Sequence, residues 1–222
     1  MLPASPWKAL RLKTSLPVFH GLTNRDLGRY INEGRDFLYL DHSYFKRSPY
    51  RFRLIRGDVH LTRLLKRPPD RRLPWKLAPW REGKNVIVIP PSEMQVRQLG
   101  VGDWLEQTLK SLATDRPVIV KQKRDGPLND FLRGAHCMVT YGSAAGIEAA
   151  VAGVPVFSGP RCPTAPISAG SLEDIEKPYY AENREEWLCS LGYACWTMEE
   201  VGSIDLTDYD YSRIHDGPKA RA

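Results

Sequence analysis

Nowhere does the sequence hold the ~18 consecutive apolar residues that a membrane-crossing helix requires, so no such helix is expected. The stretch from Met1 to Leu16 is basic but has no apolar core, so it does not read as a secretory signal and none is expected there. Cysteine is scarce: Cys137, Cys162, Cys189 and Cys195 are scattered with no CxxC pair. That spacing argues against a zinc site and against a disulfide framework in 222 residues, and makes a reducing, cytoplasmic setting the expectation. There is no internal repeat. Acidic residues are short in one half only. Residues 1–84 carry 19 Lys and Arg against 7 Asp and Glu, whereas residues 85–222 carry 13 against 19. The net charge of +6 is therefore a basic half of +12 and an acidic half of −6. A basic region attracts polyanions, nucleic acid or an acidic glycan, and its bland reading is a solvated surface.

What is present is a core, with 42% of the residues hydrophobic. Asn24 to Glu33 reads as a helix and Phe37 to Leu40 as a short buried strand. Arg51 to Ile55 alternates as a strand with one wet face does. Thr62 to Gly83, rich in Pro, Arg, Lys and Trp, reads as a linker or surface loop. After Gly83 the rhythm becomes regular. The β-branched run Asn85–Ile89 predicts a strand covered on both faces. A helix follows over 102–113, with strands at 117–121, 137–141 and 155–157. Short helices over 127–133 and 143–152 separate the last three. This alternation predicts an α/β fold with a Rossmann-type parallel sheet in the C-terminal half and a short basic α/β half before it. The expected division is 1–84, 85–180, C-terminal helices over 181–206 packing back, and a polar tail at 207–222.

The most informative stretch runs from Val139 to Gly159, VTYGSAAGIEAAVAGVPVFSG. A strand ends at Tyr141, Gly142 allows a sharp turn, and Ser143 can cap the helix that follows. Ala144 keeps the first turn free of bulk, so backbone N–H groups can meet a diphosphate there. Glu148, one and a half turns on, can accept hydrogen bonds from a ribose diol. Strand carboxyl ends face the ligand crevice in such sheets. Ser92 and Glu93, after the first strand, and Lys121 and Lys123, after the second, are therefore candidates for donor contacts and for neutralising phosphate. The plain reading of each is a polar loop residue.

Tyr39 to His60 is dense in chemistry. Asp41 and His42 follow a predicted strand, and either can take a proton from an attacking hydroxyl, Asp41 being the first choice. Their plain readings are a turn former and a satisfied loop histidine. Tyr44 is interleaved with Lys46, Arg47, Arg51, Arg53 and Arg56, and Arg71 and Arg72 follow in the loop. Cations that hold phosphates beside aromatic faces that stack on bases are the footprint of a nucleic-acid surface. The alternative is a basic strand whose aromatics point into a core.

The turn, small-residue helix, glutamate and GVPV of residues 142–156 resemble the donor-binding motif of GT-B glycosyltransferases and of the related UDP-sugar 2-epimerases. The resemblance implies that Gly142, Ser143 and Ala144 bind donor phosphates and that Glu148 binds ribose. From Phe37 to Thr197 the chain is similar to a family of GT-B-like proteins associated with phages and prophages. That likeness rests on FLYLDHSYFKR, VIVIPPSE, YGSAAGIEAAVAGVPVF and REEW…WTMEE. It implies a nucleotide-sugar-dependent glycosyltransferase, with a donor expected to be UDP-linked, no resident cofactor and no metal. The acceptor it suggests is a 5-hydroxymethylated pyrimidine in DNA. The first half departs from the family in being short. Three alternatives stay open: a surface or capsular polysaccharide as acceptor, a nucleic-acid-binding protein with a vestigial sugar site, and an epimerase, for which the further acid/base pairs are not found.

Overall fold

A computed structural model describes residues 14–45 and 52–203. The chain divides into two compact units, Met1–Val59 with Tyr193–Ala222, and His60–Gly192.

The first unit is built on a mixed sheet of four strands: β1 (Val18–His20), β2 (Leu38–His42), β3 (Phe52–Arg56) and β8 (Cys195–Trp196), in the order β1-β2-β3-β8. β1 runs parallel to β2; β3 is antiparallel to both β2 and β8. α1 (Leu27–Asn32) buries Leu27 and Ile31. Edge-on contacts join Tyr30 of this helix to Phe19 and Phe37, with ring centroids 5.0 and 6.3 Å apart. Residues 183–202 were expected to form one or two amphipathic helices, with no strand among them. α6 (Arg184–Tyr193) and α7 (Met198–Ser203) are instead separated by β8, whose Trp196 pairs with Phe52 of β3. β1 also lies where no element was expected.

The second unit carries a fully parallel sheet of β4 (Asn85–Ile89), β5 (Val118–Val120), β6 (Ala135–Thr140) and β7 (Val156–Ser158), in the order β5-β4-β6-β7. Connecting them are α2 (Glu93–Leu99), α3 (Trp104–Ser111), α4 (Leu128–Leu132) and α5 (Ala145–Val151). Side chains alternate across a strand. Val86, Val88, Cys137, Val139 and Phe157 share one face, packed by Trp104 and Leu105 of α3. Ile87, Met138 and Val156 take the other face and are equally buried. A Cβ at Gly146 of α5 would stand 3.4 Å from Val156, so α5 lies on that side. Burial on both faces is why these strands read as unbroken apolar runs.

The boundary falls at Val59/His60 rather than at 84/85, and hydrogen bonding gives the reason. The segment 60–83 has only one short 3-10 turn, Pro69–Arg71, yet it is strapped onto the second unit. The Ala78 N–H donates to Val151 and that of Arg81 to Gly153. Leu65 N–H donates to Ser190 Oγ at 2.8 Å. The strap passes so close that a Cβ at Gly153, where φ is +79°, would meet the Pro79 carbonyl oxygen at 2.0 Å. Glycine is required there by both conformation and space.

Candidate functional site

Numbered within the second unit alone, the strand order is 2-1-3-4, so the order in which strands are added switches sides between β4 and β6. Ligands of open α/β sheets bind outside the carboxyl ends of the strands at such a switch point. A cavity of about 840 Å³ opens there. Its walls come from the loop after β4 with the start of α2 (residues 89–95), the loop after β5 (Lys121, Gln122, Lys123), and the start of α5 with its loop (Ser143, Ala145, Glu148). Met94, Leu105, Leu128 and the two prolines supply an apolar side. The volume suits a ligand of drug or nucleotide size. At the opposite, amino-terminal end of the sheet a depression of about 630 Å³ lies among Lys84, Asp115, Arg116 and Glu176. Two of its charges are matched to each other, Arg116 Nε standing 2.8 Å from Glu176.

Six expected donor contacts thus meet on one cavity: Ser92, Glu93, Lys121, Lys123, Ser143 and Glu148. Lys121 is not a surface lysine. It is 6% exposed, donates to the Gln122 carbonyl at 2.9 Å, and stands 5.0 Å from the Phe131 ring centroid. No carboxylate among the described residues pairs with it. Glu148 is exposed, and its carboxylate likewise has no partner among the described residues. Tyr141, Gly142 and Ala144 flank the cavity without lining it. Tyr141 packs edge-on against Trp104, with centroids 6.3 Å apart.

Two of the expected donor-binding groups also serve the local fold. Ser92 is the N-cap of α2, a helix the sequence reading missed, and its hydroxyl accepts the Gln95 N–H at 3.3 Å. The N–H groups at the start of α5 are partly consumed locally: Ser143 N–H donates to Thr140 Oγ1, and Ala145 N–H to Ser143 Oγ. The Gly-rich turn is therefore a self-bonded corner, and the side chains around it carry the charge. Gln95 was not expected in the site, although Ser92 and Gln95 have capping-box spacing. Its Nε2 donates to the Gly142 carbonyl at 2.8 Å.

Among the described residues, several of the expected nucleic-acid contacts are engaged within the chain. Asp41 is held by Arg53 at 2.6 Å and accepts from the Tyr39 hydroxyl at 2.8 Å and from the His42 N–H at 2.7 Å. Both oxygens are engaged, which leaves it poorly placed to act as a base. Burial disfavours the Arg53 charge, but Asp41 and the neighbouring Tyr44 and Tyr39 outweigh it and keep the guanidinium charged. Arg53 is 8% exposed and Tyr44 also 8%, so neither faces a nucleic acid. Arg56 is committed to Asp36 at 2.5 Å, and Arg72 to Glu185 at 2.7 Å. Arg71 is half-buried and His42 exposed. Lys46, Arg47 and Arg51 lie outside the described residues. All four cysteines are buried, and burial pushes the Cys137 thiol up to about 12, so it is no nucleophile.

Among the described residues no group of three His, Cys, Asp or Glu side chains is placed to hold a metal ion. Nor is any of their helices long and apolar enough to cross a membrane. No family model, no curated protein and no solved structure matches this chain.

Proposed function

We propose that the chain is a nucleotide-sugar-dependent glycosyltransferase of GT-B type whose donor occupies the cavity of the second unit. One observation carries the reading: the buried ammonium of Lys121 lines that cavity with no carboxylate partner among the described residues. A buried charge without a counter-ion is costly, and an anionic ligand removes the cost. A diphosphate beside Lys121 and Lys123 supplies that counter-ion. Glu148, exposed on the same cavity, suits the hydroxyls of a ribose, and the apolar side suits a base. In transfer, the acceptor oxygen bonds to the anomeric carbon as the bond from that carbon to the diphosphate oxygen breaks. The nucleoside diphosphate leaves, its charge stabilised by Lys121, and the acceptor proton passes to a base.

The charge of the N-terminal half supports a polyanionic acceptor, and a 5-hydroxymethylated pyrimidine in DNA is the one proposed. The test is incubation with radiolabelled UDP-glucose or UDP-GlcNAc, with and without 5-hydroxymethylated DNA, followed by mass analysis of the nucleosides. Each reaction is run with EDTA and with Mn²⁺, since Asp208 and Asp210 flank Tyr209 in the tail, outside the described residues. A nucleoside heavier by one hexose or N-acetylhexosamine supports the proposal. The engagement of Asp41 and of three arginines favours a second reading, a glycosyltransferase whose acceptor is a glycan. Transfer to polysaccharide but not to DNA would establish it, and no transfer or donor hydrolysis with any acceptor would sink both.

A further inference from the structure

We infer that Gln95 is a positioning residue for this cavity. Its carboxamide ties the loop after β4 to the loop after β6 and so sets where Ser92 and Ser143 stand. For the identity of the ligand the inference rests on the nucleotide-sugar reading; the tie itself does not.

Gln95 is 7% exposed, at the third position of α2. Its Oε1 accepts the Ser92 N–H at 3.0 Å, and its Nε2 donates to the Gly142 carbonyl at 2.8 Å. The orientation of the amide follows from its partners, because an N–H can only donate and a carbonyl can only accept. One side chain thereby joins the two loops that face each other across the switch point. The fit extends to Gly142, where an added Cβ would stand 3.2 Å from Nε2, tighter than ordinary contact. Asparagine is one methylene short. Glutamate keeps the acceptor for Ser92 but loses the donor for Gly142, setting a carboxylate oxygen against a carbonyl oxygen. Methionine keeps the length and loses both bonds. A buried tie of this kind holds ligand-facing groups in place.

Glutamate also provides a reversible test, because its protonated form is a near-isostere of glutamine with an O–H to donate to Gly142. Binding of UDP is measured by calorimetry for the full chain, Gln95→Glu and Gln95→Met between pH 8 and pH 5, each compared with wild type at the same pH. The expected result for Gln95→Glu is affinity about tenfold weaker at pH 8, the size of one lost buried hydrogen bond. The gap should close toward pH 5, while Gln95→Met stays weak throughout. Wild-type affinity in both variants overturns the inference. So does an equal loss at every pH, which would mark Gln95 as a packing residue only. If wild type binds no UDP, the nucleotide reading falls and the tie is judged by amide exchange. Faster exchange at residues 142–145 in Gln95→Glu at pH 8, with 147–151 unchanged, upholds it; unchanged exchange at 142–145 overturns it.

Discussion

The two sheets treat charge in opposite ways. In the first unit β2 and β3 run antiparallel, so the carboxyl end of one lies against the amino end of the other. That register sets Asp41 opposite Arg53, and the two neutralise each other across the ladder. In the second unit all four strands run the same way, so their carboxyl ends gather at one edge and lead into loops rather than into cross-strand partners. There Lys121, Lys123 and Glu148 remain without ion-pair partners among the described residues, around one cavity. A surplus of basic residues in a sequence is thus weaker evidence of a partner than a few charges that the topology leaves uncompensated.

The contrast is broken most severely at Arg53. Arg53→Leu strips the partly buried Asp41 carboxylate of its counter-ion and leaves the Val59 and His42 carbonyls without that donor. Losing one member of a buried pair costs about 3–5 kcal/mol, to be read from urea unfolding. A loss below ~1 kcal/mol would show the pair to be solvent-balanced and would return Asp41 to candidacy as the base. Lys121→Met is the mirror case. It removes a buried charge that no carboxylate among the described residues pairs with, so the expected change is a gain of about 1 kcal/mol in stability with at least tenfold weaker UDP binding. Loss of stability without loss of binding would place Lys121 among the structural residues and remove the main support for the donor site.

These pairings mark where the sequence was legible. Asn85–Ile89 is a strand at the expected residues because burial on both faces leaves a continuous apolar run. The corner from Thr140 to Ala145 was legible because its small residues are demanded by close packing: Gly146 lies within 3.4 Å contact of Thr164 and Val156 for any added Cβ. β1 and β8 were not legible, because strands of three and two residues owe their form to partners elsewhere in the chain. Thr62 to Gly83 looked like a linker or surface loop because it lacks regular elements, and its anchors, among them the backbone hydrogen bonds of Ala78 and Arg81, leave no trace in composition. α2 was hidden behind Pro90 and Pro91. For the site, residue type and strand ends sufficed to gather six cavity residues. They were not enough for Arg53, Arg56 and Arg72, where what decides is whether a guanidinium already has a carboxylate, and only the folded contacts tell that.

Glu148→Gln sharpens the comparison from the ligand side. An exposed side chain with no described partner should cost less than about 0.5 kcal/mol in stability. If it accepts from a ribose diol, UDP and UDP-sugars should weaken by about tenfold, while inorganic diphosphate, which has no ribose, should bind unchanged. Equal weakening of diphosphate would mean that Glu148 acts on the phosphates or on Lys121 and would reverse the assignment of the two ends of the cavity.

The smallest effect concerns pH. Hydrogen bonds from Arg56 hold the Asp36 carboxyl below the usual aspartate range, and those from Arg72 do the same for Glu185. A carboxyl whose pKa is depressed by folding contributes stability that is present in full above its unfolded value and is lost as pH falls through the folded one. Stability should therefore decline below about pH 4, the ordinary range of these groups. Both pairs are open to solvent, with side-chain exposures of 41% for Asp36 and 62% for Glu185, so each contributes no more than ~1 kcal/mol. In urea titrations from pH 6 to pH 3, Asp36→Asn should lower stability at pH 6, and its difference from wild type should shrink toward pH 3. Added salt at pH 6 should shrink the difference between the two. A difference that persists at pH 3 would mean that Asp36 acts through its hydrogen bonds rather than its charge. The surface pairs of the basic half would then be as firmly built as the buried one at Asp41.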